Sequence, residues 1–509
     1  MKKIKRALIS VYNKSNIIDF AKILNQNNIE IISTGGTKTI LESHQIPVNS
    51  VEQITEYPSI LGGRVKTLHP KIFGGILNQS NKQSDNNDLE KFNIRSFDLI
   101  LVDLYPFKET VANTQNHDEI IEKIDIGGVS LIRAAAKNYK DVLVIPSANN
   151  LGAISELLIE QNFSTSTENR LLFAQKSFSL TSEYELCISN YFNKQNNDNL
   201  KLPKLFNPTI TQSKKLRYGE NPHQEGIYYG DINMLFEQLN GKELSYNNLL
   251  DIDAAVNLVN EFEGIVFGIL KHNNACGFSA DNQLLTAWKK ALSADPVSAF
   301  GGVLITNTTI DLETAKQINN LFFEILIAPS FSTESLKFLK TKKNRIILKK
   351  KNLILEEVSF RTILNGVLCQ QKDYITDNTN IKVVSQLDVS ENQMKDLIFA
   401  SKICKHTKSN AIVLVKNEQL LGIGCGQTSR IDALKQAIAK AKNFRFSLKD
   451  AVMASDAFFP FPDCVKIANE EGIKAVIQPG GSKNDKLSLD YCNNHNMAMV
   501  FTGNRHFKH

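Results

Sequence analysis

Ile31-Ile32-Ser33-Thr34-Gly35-Gly36-Thr37-Lys38 reads as a strand, a glycine turn and the start of a helix. Glycines let backbone N–H groups approach an oxyanion, and hydroxyls and a helix N-terminus add donors where the helix dipole favours negative charge. On its own, a Gly-Gly turn between strand and helix is more often a plain connection. Outward from it, Ala7-Leu8-Ile9-Ser10-Val11, Ile29 to Ser33, Leu99 to Leu104 and Val142 to Pro146 are strand candidates that alternate with helical patterns up to about residue 190. Strands spaced in this way imply a parallel sheet covered on both faces, that is, a doubly wound α/β domain.

Polar Lys194-Gln195-Asn196-Asn197-Asp198-Asn199, followed by Leu202-Pro203-Lys204 and Asn207-Pro208, has the composition of a linker, expected over 196–213. The α/β alternation then resumes, with Gly264 to Leu270, Gly301 to Thr306, Ala411 to Val415 and Lys474 to Pro479 as strands. The expected organisation is a domain over 1–195 and a second over 214–509, itself divided near 375 by the basic run Lys337 to Lys351 and the polar stretch Asp373 to Asn380. No sequence repeat relates its two parts.

The 509 residues have room for several cores, and 42% hydrophobic with 22% charged residues is ordinary for a globular protein. A net charge of +6 favours anionic ligands only weakly and gives no basic stripe with exposed aromatics, which argues against a nucleic-acid partner. Seven scattered cysteines, with no C-x-x-C pair, point to a reducing compartment and away from a zinc ribbon. With no signal-like or membrane-spanning run, the chain reads as cytoplasmic, without a membrane partner.

Three further clusters of the first domain carry chemistry. Gly62-Gly63-Arg64-Val65-Lys66-Thr67-Leu68-His69-Pro70 holds cations, a hydroxyl and an imidazole in a stretch without helical or strand periodicity, and loops so equipped are usually sites. Asp103-Leu104-Tyr105-Pro106-Phe107 lies just past a strand, where open α/β sheets bind ligands. Ile124-Asp125-Ile126-Gly127-Gly128-Val129 precedes a helix carrying Arg133 and Lys137. Tyrosine and lysine titrate near about 10, so acid–base work at neutrality would need crowding by cations or burial. Taken singly, Asp125 or Lys137 could equally be a member of a structural ion pair.

In the second domain, Leu216-Arg217-Tyr218-Gly219-Glu220-Asn221-Pro222-His223-Gln224 sets a cation, an aromatic and an imidazole on a turn, and Lys271-His272-Asn273-Asn274 follows a strand. The chain ends Thr502-Gly503-Asn504-Arg505-His506-Phe507-Lys508-His509 after an apolar run. An arginine fork, an aromatic face and imidazoles suit a charged aromatic ligand, so this tail reads as tucked into a site; the alternative is a frayed terminus.

Gly62 to Pro70, Leu104 to Phe107, Ile124 to Gly128 and Arg133-Ala134-Ala135-Ala136-Lys137-Asn138 resemble the IMP cyclohydrolase domain of the bifunctional AICAR transformylase/IMP cyclohydrolase family, a methylglyoxal-synthase-like fold. The remainder resembles the transformylase domain, a duplicated cytidine-deaminase-like α/β fold, in Arg217 to Gln224, Lys271-His272, Asp295 to Gly302, Glu324 to Pro329, Ser409 to Ala411, Gly424 to Arg430, Ser455 to Asp463 and Gln478 to Ser482.

The resemblance implies formyl transfer from 10-formyltetrahydrofolate to AICAR, then dehydrative closure of formyl-AICAR to IMP, by a homodimer. It implies that Lys66, Tyr105, Asp125 and Lys137 serve ring closure, with Asp125 and Lys137 orienting the carboxamide. Ser10, Lys14, Thr34, Gly36, Thr37, Arg64 and Thr67 would hold the nucleotide. Lys271 and His272 would be catalytic in formyl transfer. Arg217, Tyr218, Glu324, Asn410, Arg505, Phe507 and His509 would contact AICAR, and Phe458 and Asp463 would line the folate pocket.

The zinc ligands of deaminases are missing from the sequence, so metal-free catalysis is expected. Ala275 stands where the family usually has proline, which is expected to loosen the loop after Lys271-His272. Within the basic run, Lys342, Lys343 and Arg345 are either a solvated face or an attractant for polyglutamylated folate. A second reading of the whole chain, a nucleotide-binding regulatory module without turnover, has no use for the proton carriers Lys66, Tyr105, Lys271 and His272.

Overall fold

The computed structural model describes residues 1–195, 206, 212–352, 357–377 and 381–509. The chain divides into two compact units, Met1–Thr209 and Ile210–His509. The linker expected over 196–213 lies outside the described residues apart from Phe206, Gln212 and Ser213.

The first unit is built on five strands, β1 (Arg6–Ser10), β2 (Glu30–Ser33), β3 (Asn49–Ser50), β4 (Leu99–Val102) and β5 (Leu143–Ile145), in the order β3-β2-β1-β4-β5. Every pairing is parallel. All four residues of β4 and all three of β5 are buried, the continuous apolar run of a sheet covered on both faces. Helix α1 (Ile17–Gln26) buries Ile17, Phe20, Ala21 and Leu24, a stripe at helical spacing. Helices α2 (Gly35–Ser43) and α3 (Gly127–Lys137) supply further crossovers, and α4 (Thr167–Gln195) packs on α3. Strand order reverses between β1 and β4, and such a reversal opens a crevice at the carboxyl ends of the strands. The loops after β1, β2 and β4 converge there.

The second unit is organised around one twelve-stranded sheet whose two halves repeat a single plan. In the first half, β6 (Phe236–Asn240), helix α5 (Tyr246–Val259), the hairpin β7 (Val266–Lys271) and β8 (Asn274–Ala280), helix α6 (Leu284–Ala294), β9 (Val303–Thr306), helix α7 (Leu312–Ile318), β10 (Ile325–Ala328), helix α8 (Thr333–Leu339) and β11 (Ile346–Lys350) succeed one another. The second half runs β12 (Lys382–Val383), α9 (Glu391–Lys405), β13 (Ile412–Lys416), β14 (Gln419–Gly424), α10 (Arg430–Asn443), β15 (Val452–Ser455), α11 (Asp463–Glu470), β16 (Ala475–Gln478), α12 (Asp485–Asn494) and β17 (Ala498–Phe501).

In both halves the last three strands are parallel, the hairpin joins them antiparallel, and the first strand pairs antiparallel with the last. The halves meet where Ser279 of β8 faces Gln419 of β14. One core on one face draws on both halves, including Ala255 of α5 and Ala400 of α9, whereas the other face carries a separate core in each half.

The halves also share a steric device. A Cβ on Gly277 of β8 would stand 2.1 Å from the Ala291 carbonyl oxygen of α6, and one on Gly422 of β14 would stand 2.2 Å from that of Ala437 in α10. Only glycine allows the helix to lie so close to the hairpin. The sequence shows no repeat because this plan needs glycines at two contacts and apolar residues elsewhere, without fixing which apolar residue fills each place.

Candidate active sites

In the first unit the crevice is built from the ends of three strands. After β2, Gly35 takes φ +48°, and the N-terminus of α2 points its free N–H groups into the crevice. Two ammonium groups flank this turn. A Cβ on Gly35 would lie 3.7 Å from Lys66 Nζ, and one on Gly36 would lie 3.5 Å from Lys14 Cε. Lys14 Nζ donates to the carbonyls of Val11 (3.3 Å) and Tyr12 (3.1 Å), which holds the side chain beside the turn.

The hydroxyls divide their roles. Thr34 is buried, and its hydroxyl has no partner although it precedes the first turn of α2. A buried polar atom left unpaired is costly, so a ligand oxygen is its natural complement. The Thr37 hydroxyl is used within the fold: Oγ1 accepts from Val11 N–H at 3.2 Å and donates to Val11 O at 3.0 Å. Ser10, half-buried at the end of β1, receives the backbone N–H of Asp103 on its carbonyl at 3.2 Å. Thr67 is buried, its Oγ1 3.1 Å from where a Cβ on Gly127 would stand. Arg64 is exposed and paired with Glu122 at the surface.

Asp125 sits just before α3, its Oδ1 accepting from Gly128 N–H at 2.7 Å, and a Cβ on Gly128 would collide with the carboxylate. Its own N–H donates to the Tyr184 hydroxyl at 2.8 Å, which donates in turn to Lys123 O at 2.7 Å. Burial raises the Asp125 pKa above the ordinary carboxylate value, against the opposing N–H groups of Gly128 and Tyr105 and the charge of Lys66. Burial and the Asp125 charge also raise the Tyr105 pKa. The phenol therefore stays protonated at neutral pH and is a donor, not a base. Tyr12 and Lys123, unnoticed in the sequence, complete this wall: the Tyr12 and Tyr105 rings meet edge-on at 5.8 Å, with Lys123 Nζ 5.5 Å from the first and 5.8 Å from the second.

Lys137 is not part of this group. It ends the helix that Asp125 precedes, about 15 Å away at 1.5 Å per residue, and lines a separate cavity of about 650 Å³ with Phe73, Arg133 and Phe178.

In the second unit, His272 (φ 52°) and Asn273 (φ 65°) form the two-residue turn between β7 and β8, the left-handed pair that a tight hairpin requires. The turn is held from below by Asp251 of α5, whose Oδ1 accepts from Asn273 N–H at 2.7 Å. Asp251, in no motif of the sequence, also lies within electrostatic reach of Lys271 and His272, and burial raises its pKa. Lys271 Nζ donates to Phe300 O at 2.8 Å, which joins the turn to the Asp295–Gly302 segment. Asn274 Oδ1 accepts from Lys408 N–H at 3.1 Å.

From Lys408 the remaining segments follow. Ser409 N–H donates to Lys508 O at 2.9 Å and its Oγ accepts from Lys508 N–H at 3.0 Å, which ties in the C-terminal tail. Asn410 donates to Gln427 O from its backbone (3.1 Å) and from Nδ2 (2.9 Å). Arg430 binds Ser455 Oγ at 2.8 Å and Asp456 Oδ1 at 2.6 Å, and Asp456 O accepts from His506 N–H at 2.9 Å. Phe458 is exposed beside buried Phe459, and Asp463 opens α11 with its Oδ1 on Cys464 N–H at 2.8 Å. Arg217 lies over the Tyr218 ring at 5.6 Å, on a loop whose Glu220 carbonyl accepts from Asn247, one turn before Asp251 on α5.

Two expectations change here, for Ala275 and Arg345, and Glu324 takes a surface partner. Ala275 lies buried within β8, opposite Leu270 and beside a register shift, so it belongs to a paired hairpin and not to a loosened loop. Arg345 is no attractant for anions: it is buried, its guanidinium bonded to Asn319 Oδ1 at 2.5 Å and to the carbonyls of Asn319 and Leu321, and stacked 4.4 Å over Phe323. Glu324 pairs with Lys242 at 2.9 Å and, with Lys342, Lys343 and Phe322, lines a cavity of about 430 Å³.

Among the described residues, no group of three or more His, Cys, Asp or Glu is arranged to hold a metal ion, and no helix is long and apolar enough to cross a membrane.

Comparison with known proteins agrees with this architecture. A family described as "AICARFT/IMPCHase bienzyme" matches residues 135–440, and an "MGS-like domain" matches residues 16–130. A Bacteroides thetaiotaomicron protein described as "Bifunctional purine biosynthesis protein PurH" is 53% identical over 100% of this chain and 99% of its own length. Proteins of the same description from Petrotoga mobilis and Caldicellulosiruptor saccharolyticus are 46% and 44% identical, each over 99% of this chain and 100% of their own.

Proposed function

The chain belongs to the AICARFT/IMPCHase bienzyme family, and from that premise we propose which of its residues carry each of the two reactions. It is an AICAR formyltransferase and IMP cyclohydrolase, acting in the last two steps of purine biosynthesis with a formyl-folate co-substrate.

Ring closure is assigned to the first unit. The nucleotide phosphate lies at the N-terminus of α2, held by the N–H groups of Gly36 and Thr37, the unpaired Thr34 hydroxyl, Lys14 and Lys66, with Ser10 and Thr67 beside it and Arg64 released from Glu122 to join. The carboxamide nitrogen attacks the formyl carbon and the formyl oxygen leaves as water. Fixing one conformer supplies most of the acceleration, since well-oriented intramolecular reactions reach effective molarities of about 10⁵–10⁸ M. Asp125, a carboxylate made more basic by burial, takes the carboxamide proton. Tyr105, kept protonated, donates to the formyl oxygen. The observation that carries this reading is the convergence of Lys14 and Lys66 on the Gly35-Gly36 turn.

Formyl transfer is assigned to the second unit, with 10-formyltetrahydrofolate as donor. The 5-amino nitrogen of AICAR attacks the formyl carbon, the bond from that carbon to folate N10 breaks, and N10 takes a proton. His272, on an exposed turn, accepts the amino proton, and Lys271 steadies the developing charge. Arg217, Tyr218, Glu324, Arg505, Phe507 and His509 contact AICAR, Asn410 lies near the transferring group, and Phe458 and Asp463 line the folate pocket. The second unit's repeated halves are of a cytidine-deaminase-like kind. A cytoplasmic homodimer completes the proposal, to be checked by light scattering of the purified protein.

Given AICAR and 10-formyltetrahydrofolate, a Lys66→Ala variant should accumulate formyl-AICAR. Prompt appearance of IMP at the wild-type rate would reject the assignment of ring closure.

A further inference from the structure

The last five residues alternate strictly. His506 is 5% exposed and Lys508 half-buried, whereas Arg505, Phe507 and His509 are exposed. The outward three form a row, with the Arg505 guanidinium 4.3 Å from the Phe507 ring and that ring 5.5 Å from the tilted ring of His509. The inward imidazole of His506 lies between two carboxylates: Nδ1 is 2.6 Å from Asp373 Oδ2 and Nε2 is 3.2 Å from Asp377 Oδ2. Asp377 Oδ2 also accepts from Ser401 Oγ of α9 at 2.6 Å. We propose that the Asp373–His506–Asp377 clamp is a positioning device for the formyl-transfer site, holding the tail in the one register that turns Arg505, Phe507 and His509 outward.

The argument rests on period two. A slip of one residue along an extended chain exchanges its two faces and would bury Arg505 and Phe507 while exposing His506. The main-chain bonds to Asp456 and Ser409 do not by themselves prevent such a slip, because they could re-form one residue along. Those of the His506 side chain cannot. An imidazole that donates from both nitrogens must be protonated, and a cation between two carboxylates fits at one position of the tail only.

Other charges around the clamp are already engaged. Lys405 Nζ is 2.8 Å and His406 Nε2 2.9 Å from Glu261 Oε1, and Arg430 neutralises Asp456. Lys508 Nζ donates to His406 O at 3.1 Å, and Arg361 Nη1 to His509 O at 3.2 Å. Burial alone would lower the His506 pKa, but the bonds to Asp373 and Asp377 outweigh it and push it up to about 9. A raised folded-state value means that the clamp contributes fully below the ordinary imidazole value and is lost as pH rises through about 9.

This inference depends on the assignment of the tail to AICAR. Three variants, Asp373→Asn, His506→Leu and Arg505→Ala, are compared by KM for AICAR in formyl transfer, by closure of supplied formyl-AICAR, and by the rate at which a carboxypeptidase releases the tail. Asp373→Asn and His506→Leu should raise KM by about tenfold, the worth of one pKa unit, with faster tail release, little change in kcat and unchanged ring closure. In the wild-type enzyme KM should climb above pH 9, and in Asp373→Asn the climb should begin at lower pH. If Arg505→Ala raises KM while the other two leave KM, tail release and the pH profile as they were, the clamp is overturned and the tail assignment survives. A wild-type KM in Arg505→Ala overturns both.

Discussion

The two candidate sites are held together in different ways. The crevice of the first unit is a product of sheet topology: β1, β2 and β4 end side by side, and whatever follows them must meet. The site of the second unit is stitched by individual polar contacts between segments far apart in sequence, such as Asn274 with Lys408 and Ser409 with Lys508. A site of the first kind should lose chemistry without losing shape when a side chain is removed. One of the second kind should lose shape with the loss of a single bond.

The largest effect expected from this contrast is in the first unit. Asp125→Asn should slow ring closure by about 10²- to 10⁴-fold, the range of a positioned general base, while thermal stability and formyl transfer hold. The wild-type rate should rise with pH through a midpoint above that of an ordinary carboxyl, because the ionised form is the base and its pKa is raised; the Asp125→Asn substitution should abolish that limb. Retention of the limb would assign the base elsewhere.

Arg345→Ala separates stability from binding in the second unit. It strips Asn319 and Leu321 of a buried partner and should cost about 2–4 kcal/mol in denaturant unfolding, with KM for mono- and polyglutamyl folate unchanged in the protein that remains folded. A selective loss of polyglutamate affinity would restore the attractant reading. Thr34→Val is smaller: calorimetry should show nucleotide affinity reduced by about tenfold, one hydrogen bond to a charged group, without loss of stability, since the hydroxyl has no partner in the fold. Smallest is Ala275→Pro, which should change stability by less than about 1 kcal/mol, because the position adjoins a register shift where a missing N–H disturbs little.

Legibility followed the same division. The glycine turn, the parallel strands and the loops at their carboxyl ends could be read because period and turn chemistry determine them locally. The places of Lys66, Asp125 and Tyr105 followed from the topology. That Asp125 and Lys137 stand at opposite ends of one helix could not be read from their contiguous motifs, because a helix turns contiguity into distance. That the Thr37 hydroxyl serves the fold was not legible, because a hydroxyl beside a phosphate turn can as readily bond the backbone. In the second unit the motifs were visible but not their junctions: Asp251 beneath the Lys271-His272 turn and the carboxylates around His506 belong to no motif in sequence, and are given meaning only by segments that the fold brings past them. Arg345 looked like the neighbouring lysines until burial distinguished it.

The claim on which these comparisons rest is that each unit performs one reaction with its own proton carriers. A His272→Ala variant, given AICAR and 10-formyltetrahydrofolate and separately given formyl-AICAR, tests it directly. It should form no formyl-AICAR from the first pair and should convert supplied formyl-AICAR to IMP at the wild-type rate; formyl transfer at an undiminished rate, or loss of both activities in a folded protein, would contradict it.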